Sequence, residues 1–293
     1  MNRLSKIVLI ALPLVAAVAA CSPLGTLNAL TPERNVHRDE DIAYGSDPRQ
    51  RLDIYRPAGG GMSPVVVFFY GGSWVNGDRA DYLFVGEALA SRGITAVIAD
   101  YRLSPQVTYP GFLDDSARAV AWTHAHIAEH GGDRDKVFVM GHSAGAYNAA
   151  MLAMDPRWLA AHGERPSMLR GWIGLAGPYD FIPIDDDDIK PSFLYPNTPP
   201  DSQPINHIGK TTVPALLLTG GADRTVNPVR NTAQLAERLR VAGTPVQSET
   251  FDGIGHGMLV GSFARPLRFR APVLERVVTW IDQTAGAAAQ QAR

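Results

Sequence analysis

Cysteine is nearly missing from this sequence: one residue, Cys21, in 293. A single thiol excludes an intramolecular disulfide, and it excludes a thiolate zinc site or an iron-sulfur cluster held by this chain alone. Basic excess is missing too, since 27 Lys and Arg face 29 Asp and Glu for a net charge of -2. Binding to a phosphate backbone draws on such an excess, so a non-specific nucleic-acid partner is not expected. Internal repeats are lacking, and the body has no linker long and polar enough to separate two full domains. Neither Gly71-Gly72 nor Gly141 to Gly145 has the lysine of a phosphate loop or the spacing of a dinucleotide fingerprint. What is present is 45% hydrophobic and 19% charged residues, a composition suited to one large globular core.

A long hydrophobic span is also lacking. The apolar run Ile7 to Ala20 holds 14 residues, is interrupted by Pro13, and follows the basic residues Arg3 and Lys6. It is too short for a comfortable transmembrane helix and has the layout of a secretory signal. Val18, Ala19, Ala20 and Cys21 resemble the lipobox of bacterial lipoproteins, which implies cleavage after residue 20 and a lipid on Cys21. Ser22 in the next position implies an outer-membrane address in the bacterial envelope. The expected organisation is a signal peptide over 1–20, a lipidated cysteine and tether over 21–46, a folded domain over 47–284, and a flexible tail over 285–293.

Within the domain, short branched or aromatic runs alternate with stretches of helical period. Strands are predicted at 52–55, 65–70, 94–100, 136–140, 171–175, 213–219 and 247–251, and helices at 82–90, 116–129, 143–154, 229–239 and 273–281. This alternation reads as α/β, a mostly parallel sheet flanked by helices. One stretch breaks the rhythm: Tyr179 to Lys210 carries four aspartates, Asp185 to Asp188, followed by five prolines. It reads as a small cap insertion, either a binding loop or a solvated excursion.

Gly141-His142-Ser143-Ala144-Gly145 is a G-x-S-x-G sequence between an apolar strand and a helix. In that context the glycines permit a strained turn that lifts a serine hydroxyl clear of the sheet, so Ser143 is the candidate nucleophile; otherwise it only caps the helix. A hydroxyl needs a base and an oriented carboxylate. Among eight histidines, His256 stands in a glycine-rich loop before the final helix, and His142, inside the turn, is expected to point away from the hydroxyl. Asp223 follows a buried strand and Gly220-Gly221, between Ser143 and His256 in chain order, with Asp180 as its rival. The strand ending in Tyr70-Gly71-Gly72-Ser73-Trp74 offers amides for a developing oxyanion, and the candidates are Gly72, Ser73 and Ala144. This chemistry calls for no metal and no cofactor.

These motifs together resemble the α/β-hydrolase superfamily, and in particular its carboxylesterase and lipase branch with an H-G-G-x-W oxyanion motif, which includes bifunctional feruloyl/acetylxylan esterases and kynurenine formamidases. Leu52 to Pro57, Asp100 to Pro105 with Asp115, Leu218 to Val226 and Gly255-His256-Gly257 carry the rest of the likeness. The resemblance implies a serine carboxylic-ester hydrolase for short-chain or aryl esters, among them acetylated or feruloylated carbohydrate, working through an acyl-enzyme. An amidase, arylformamidase or serine peptidase could use the same triad, and a non-catalytic envelope protein could use the same scaffold. Tyr70 stands where the motif has histidine, so altered packing of the oxyanion loop is expected. The sequence assigns no oligomeric state.

Overall fold

The computed structural model describes residues 23–32 and 36–291. The signal-like segment and Cys21 lie outside the described residues. Eight strands form one sheet: β1 (Val36–Ala43), β2 (Arg51–Pro57), β3 (Ser63–Phe69), β4 (Thr95–Ala99), β5 (Gly132–His142), β6 (Leu169–Leu175), β7 (Ala215–Gly220) and β8 (Val246–Phe251). Their spatial order is β1-β2-β4-β3-β5-β6-β7-β8. The β1/β2 and β2/β4 pairs are antiparallel and every other pair is parallel. Helices α1 (Pro23–Ala29), α2 (Leu83–Ala90), α3 (Gly111–His126), α4 (Ala144–Met154), α5 (Pro156–Ala160), α6 (Gln234–Val241), α7 (His256–Gly261) and α8 (Val273–Gln291) pack around it.

The middle of the sheet explains its own sequence. Val65 to Phe69 and Val137 to Met140 pair in register and have no exposed surface. A strand covered on both faces needs apolar residues at every position, hence unbroken runs rather than alternation. Each such side chain contributes about 1.5–3 kcal/mol by leaving water. On α8, Leu274, Val277 and Ile281 are buried and Trp280 meets Phe138 at 5.8 Å between ring centroids. Gly171 on β6 keeps this approach open, because a Cβ there would strike the Trp280 ring.

Two boundaries differ from the sequence expectation. The stretch 21–46 was expected as a tether, but it contains α1 and β1. β1 escapes a hydrophobic-pattern reading because it is an edge strand of sequence VHRDEDIA, held by polar pairs: Arg56 with Asp39 at 3.1 Å, and His130 Nδ1 with Asp39 at 2.7 Å. The tail expected from 285 is helical to Gln291, continuing α8 through Ala285 and Ala287 to Ala289, since alanine is the best helix former. Among the described residues no helix is long and apolar enough to cross a membrane.

The insertion after β6 has three short 3₁₀ turns, Pro191–Phe193, Pro200–Ser202 and Pro204–His207. Tyr179, Phe181 and Phe193 turn inward, while Tyr195 stays exposed. Phe193 is fully buried and makes edge contacts with Trp74, Tyr147 and Phe181, at 4.7, 5.5 and 5.0 Å. The Tyr109 amide donates to the Ser192 carbonyl at 2.8 Å, fixing the insertion to the body. Asp185 to Asp188 stay exposed.

Candidate active site

The turn between β5 and α4 holds Ser143 at φ 55°, ψ -122°. A non-glycine residue there is strained, and the neighbouring glycines are what permit it. A Cβ on Gly141 would strike the Gly145 carbonyl, and one on Gly145 would strike the Phe69 carbonyl of β3. Gly71 is constrained as well, since its Cβ would sit 2.9 Å from that of Ser143. The Ser143 amide donates to the Leu175 carbonyl at 2.9 Å, while its hydroxyl makes no capping bond to α4. The helix-cap alternative is therefore not realised.

Asp223, just past β7, is buried and brings Oδ2 to 2.7 Å from His256 Nδ1. Its other oxygen accepts from the amides of Thr225 (2.8 Å) and Val226 (2.9 Å). Burial works to raise the pKa of Asp223, but the bond from His256 and these amides outweigh it and hold the carboxyl below its ordinary range. The carboxylate orients Nδ1–H, which leaves Nε2 as the basic nitrogen of the ring. Ser143 and His256 line the same cavity. The rival Asp180 is not part of this pair: it meets Arg230 at 3.3 Å, and its amide and that of Tyr179 donate to Asn231 Oδ1 at 2.9 and 2.6 Å, tying the insertion to the body.

His142 is more closely involved than its sequence position suggests. Its ring lies 4.7 Å from the His256 ring, and Nε2–H donates to the His256 carbonyl at 3.1 Å. Burial, with His256 alongside, pushes its pKa down to about 3. The unfolded chain takes up a proton near pH 6.5 that the folded chain refuses, so this contribution to stability is complete above pH 6.5 and is lost as pH falls toward 3. Between pH 6.5 and 4, the unfolding free energy of wild type should drop by about 3 kcal/mol more than that of His142→Gln. Urea unfolding at the two pH values measures this, and parallel losses would show that His142 is not held neutral.

After β3, Gly72, Ser73 and Trp74 have φ of 129°, 54° and 58°, a consecutive left-handed run that bends the chain over the elbow. Gly72 is obligatory, because a Cβ would strike the Asn76 carbonyl. Trp74 braces the loop from the interior: its buried Nε1–H donates to Asn148 Oδ1 at 3.1 Å. Tyr70 fills the motif's histidine position with its ring stacked between Tyr101 and Tyr82, at 4.9 and 5.7 Å. Its hydroxyl donates to Asp100 Oδ1 at 2.8 Å and accepts from Arg49 Nη2 at 2.6 Å. Burial and then the nearby Asp100 charge raise the pKa of this phenol well above its usual value, so it stays neutral. Asp100 also accepts from the Arg79 amide at 2.8 Å and from its guanidinium, and Arg79 Nε reaches Asp53 at 3.0 Å. Arg49 and Arg79 were not singled out by the sequence, because only the fold brings them to Tyr70 and Asp100.

The cleft has two lobes meeting at Ser143, Ser73 and Thr225. One, of about 220 Å³, is walled by Trp74, Phe181, Ile184 and Ile189, with Ala144 at its base. The other, of about 360 Å³, is walled by Gly71, Gly72, Asn76, Asp81 and Leu24, with His256 on one side. Among the described residues no group of three or more His, Cys, Asp or Glu is placed to hold a metal ion.

An eight-stranded sheet of this order, with a strained serine after β5 and a carboxylate-bound histidine beyond β8, defines an α/β-hydrolase with a serine nucleophile, and its family and relatives place it among the serine carboxylic-ester hydrolases. The chain belongs to the BD-FAE family, whose model matches residues 52–239. It is 30% identical to esterase LipC of Mycobacterium tuberculosis over 295 residues, covering 90% of this chain and 70% of LipC. It is 36% identical over 152 residues to a probable isoprenylcysteine alpha-carbonyl methylesterase, ICMEL1, of Arabidopsis thaliana, covering 50% of this chain and spanning only 32% of the relative's length. In fold it is similar to an inhibited esterase B of Lactobacillus rhamnosis, with TM-score 0.81, 19% identity, and coverage of 96% of this chain and 98% of that one.

Proposed function

We propose that this protein hydrolyses uncharged short-chain or aryl carboxylic esters through an acyl-enzyme on Ser143. The observation that carries the reading is the 2.7 Å bond between His256 Nδ1 and Asp223, beside a cavity shared by His256 and the strained Ser143. His256 Nε2 takes the hydroxyl proton as Ser143 Oγ attacks the ester carbonyl carbon, and Asp223 stabilises the imidazolium that results. The amides of Gly72, Ser73 and Ala144 donate to the oxyanion, each contribution being about 3–4 kcal/mol in comparable sites. Collapse returns the proton from His256 to the departing alcohol. Water then repeats the sequence to release the acid.

Charge supports an uncharged substrate. Asp81, Asp180, Asp185 and Asp186 line the two lobes against one cation, Arg230, which is already paired with Asp180. An anionic ester would meet net repulsion. The apolar lobe suits an aryl or acyl group and the glycine-rich lobe an alcohol, including the sugar of an acetylated or feruloylated carbohydrate. The lipobox-like sequence ending in Cys21 supports a lipid anchor in the bacterial outer membrane. Asp223→Asn should lower kcat for p-nitrophenyl acetate about 10⁴-fold, by presenting the wrong imidazole tautomer, whereas Asp180→Asn lowers it less than about tenfold. Steady-state kinetics of the two variants distinguish the acids, and equal losses would reject the assignment. Stoichiometric labelling of Ser143 by a fluorophosphonate tests the nucleophile directly.

A further inference from the structure

Helix α1 belongs to the cleft. Leu24 lines the lobe that holds Ser143 and His256, and Leu24 and Leu27 pack against the hydrophobic core. Asn28 clamps the helix to the 3₁₀ turn Arg79–Tyr82 and the start of α2: its Nδ2 donates to the Ala80 carbonyl at 2.6 Å, and its Oδ1 accepts from the Phe84 amide at 3.2 Å. Thr31 Oγ1 closes the last turn on the Leu27 carbonyl at 2.8 Å.

Cys21 precedes Leu24 by three residues, a separation that a fully extended chain spans in about 11 Å. A domain of this size has a radius of gyration of about 19 Å. A lipid on Cys21 would sit in the acyl region, with its cysteine at the headgroup level. An opening tied so closely to the anchor cannot be turned to the far side of the molecule. The lobe walled by Leu24 also carries Asp81 and no lysine or arginine among its lining residues, so anionic headgroups are disfavoured there.

We propose that α1 fixes the mouth of the catalytic cleft against the bilayer, and that the preferred substrates are uncharged esters dissolved in the membrane rather than esters in bulk water. This inference rests on both the esterase reading and the lipid on Cys21. It replaces a long tether with an attachment only three residues from the wall of the cleft.

The test uses full-length protein purified from membranes and reconstituted into vesicles of phosphatidylethanolamine and phosphatidylglycerol. Wild type is compared with a variant carrying 20 Gly/Ser residues inserted between Ser22 and Pro23, a flexible segment of about 25 Å root-mean-square length. With 1,2-dioctanoylglycerol in the vesicles, kcat/KM should fall tenfold or more on insertion. With water-soluble p-nitrophenyl acetate it should change less than twofold, which also reports that the variant is folded. A second readout does not depend on catalysis. A bimane label on Asn76→Cys, exposed beside the Leu24 lobe, should be quenched by brominated phospholipid at least threefold more than one on Arg134→Cys, exposed near the amino end of β5.

Equal rates on dioctanoylglycerol before and after insertion, together with equal quenching at the two positions, overturn the proposal. Mass analysis showing an unacylated Cys21 overturns it through the anchor. Absence of p-nitrophenyl acetate hydrolysis by the acylated wild type overturns it through the esterase reading, so the three failures are told apart.

Discussion

Ser143→Ala lowers kcat for p-nitrophenyl acetate by about 10⁴-fold or more while leaving the fold intact. The serine side chain makes no capping bond to α4, and the contact that seats the turn is its amide on Leu175, which alanine retains. Alanine also carries the same backbone strain at φ 55°, so folded stability should change by no more than about 0.5 kcal/mol. Residual turnover would come from the oxyanion amides and from binding, which do not need the hydroxyl. Fluorophosphonate labelling should vanish in the same variant. Retention of more than about 1% of wild-type kcat, in a protein with an unchanged urea midpoint, would place the nucleophile elsewhere.

Asp100→Ala is expected to produce the largest loss of stability, about 3–5 kcal/mol. Asp100 is buried and accepts from Tyr70, from the Arg79 amide and from the Arg79 guanidinium, with Arg49 at 3.7 Å. Removing the carboxylate leaves two partly buried cations short of a partner and a buried phenol without its acceptor, the costly half of a broken buried pair. Activity falls with it. The Tyr70 ring supports the loop that carries Gly72 and Ser73, and a Cβ on Gly77 would strike that ring, so the loop has little room to settle elsewhere. Asp100→Asn keeps the shape and part of the hydrogen bonding and should recover a large share of both losses. Urea unfolding and kcat, measured on the two variants, check the expectation. If the alanine variant loses less than about 1 kcal/mol, the network is not a structural support.

The parts of the molecule that bury apolar area were legible in the sequence. β3 through β7 each carry a run whose character follows from being covered on two faces, and the turn at Ser143 announces itself through two glycines that no other residue can replace. Asp223 and His256 were reachable through chain order, because each follows a strand on a glycine-rich turn. β1 was hidden for the opposite reason. It buries little, and the ion pairs that hold it join residues far apart in the chain, as His130 and Asp39 are. The same blindness applies to Arg49, Arg79 and His142, whose roles depend on which carboxylate or carbonyl the fold brings near. Periodicity reports burial, whereas a hydrogen-bond partner across the sheet leaves no local trace. Tyr70 lies between these cases: the departure from histidine was visible, but its compensation by Asp100 and Arg49 required the fold.

The family match over 52–239 stops short of what the site needs. It contains Ser143 and Asp223, yet it leaves out His256 and the whole of β8 and α8. At the other end it omits Tyr44, whose hydroxyl donates to the Asp100 carbonyl at 2.6 Å, and Gln50, whose side-chain amide donates to Asp115 at 2.7 Å. Arg49, the donor to Tyr70, is left out with them. The matched region and the set of residues that builds the site thus have different borders. A recombinant fragment cut at the borders of the matched region would expose the β2 edge and lose its base, so chain boundaries for expression belong outside β1 and α8.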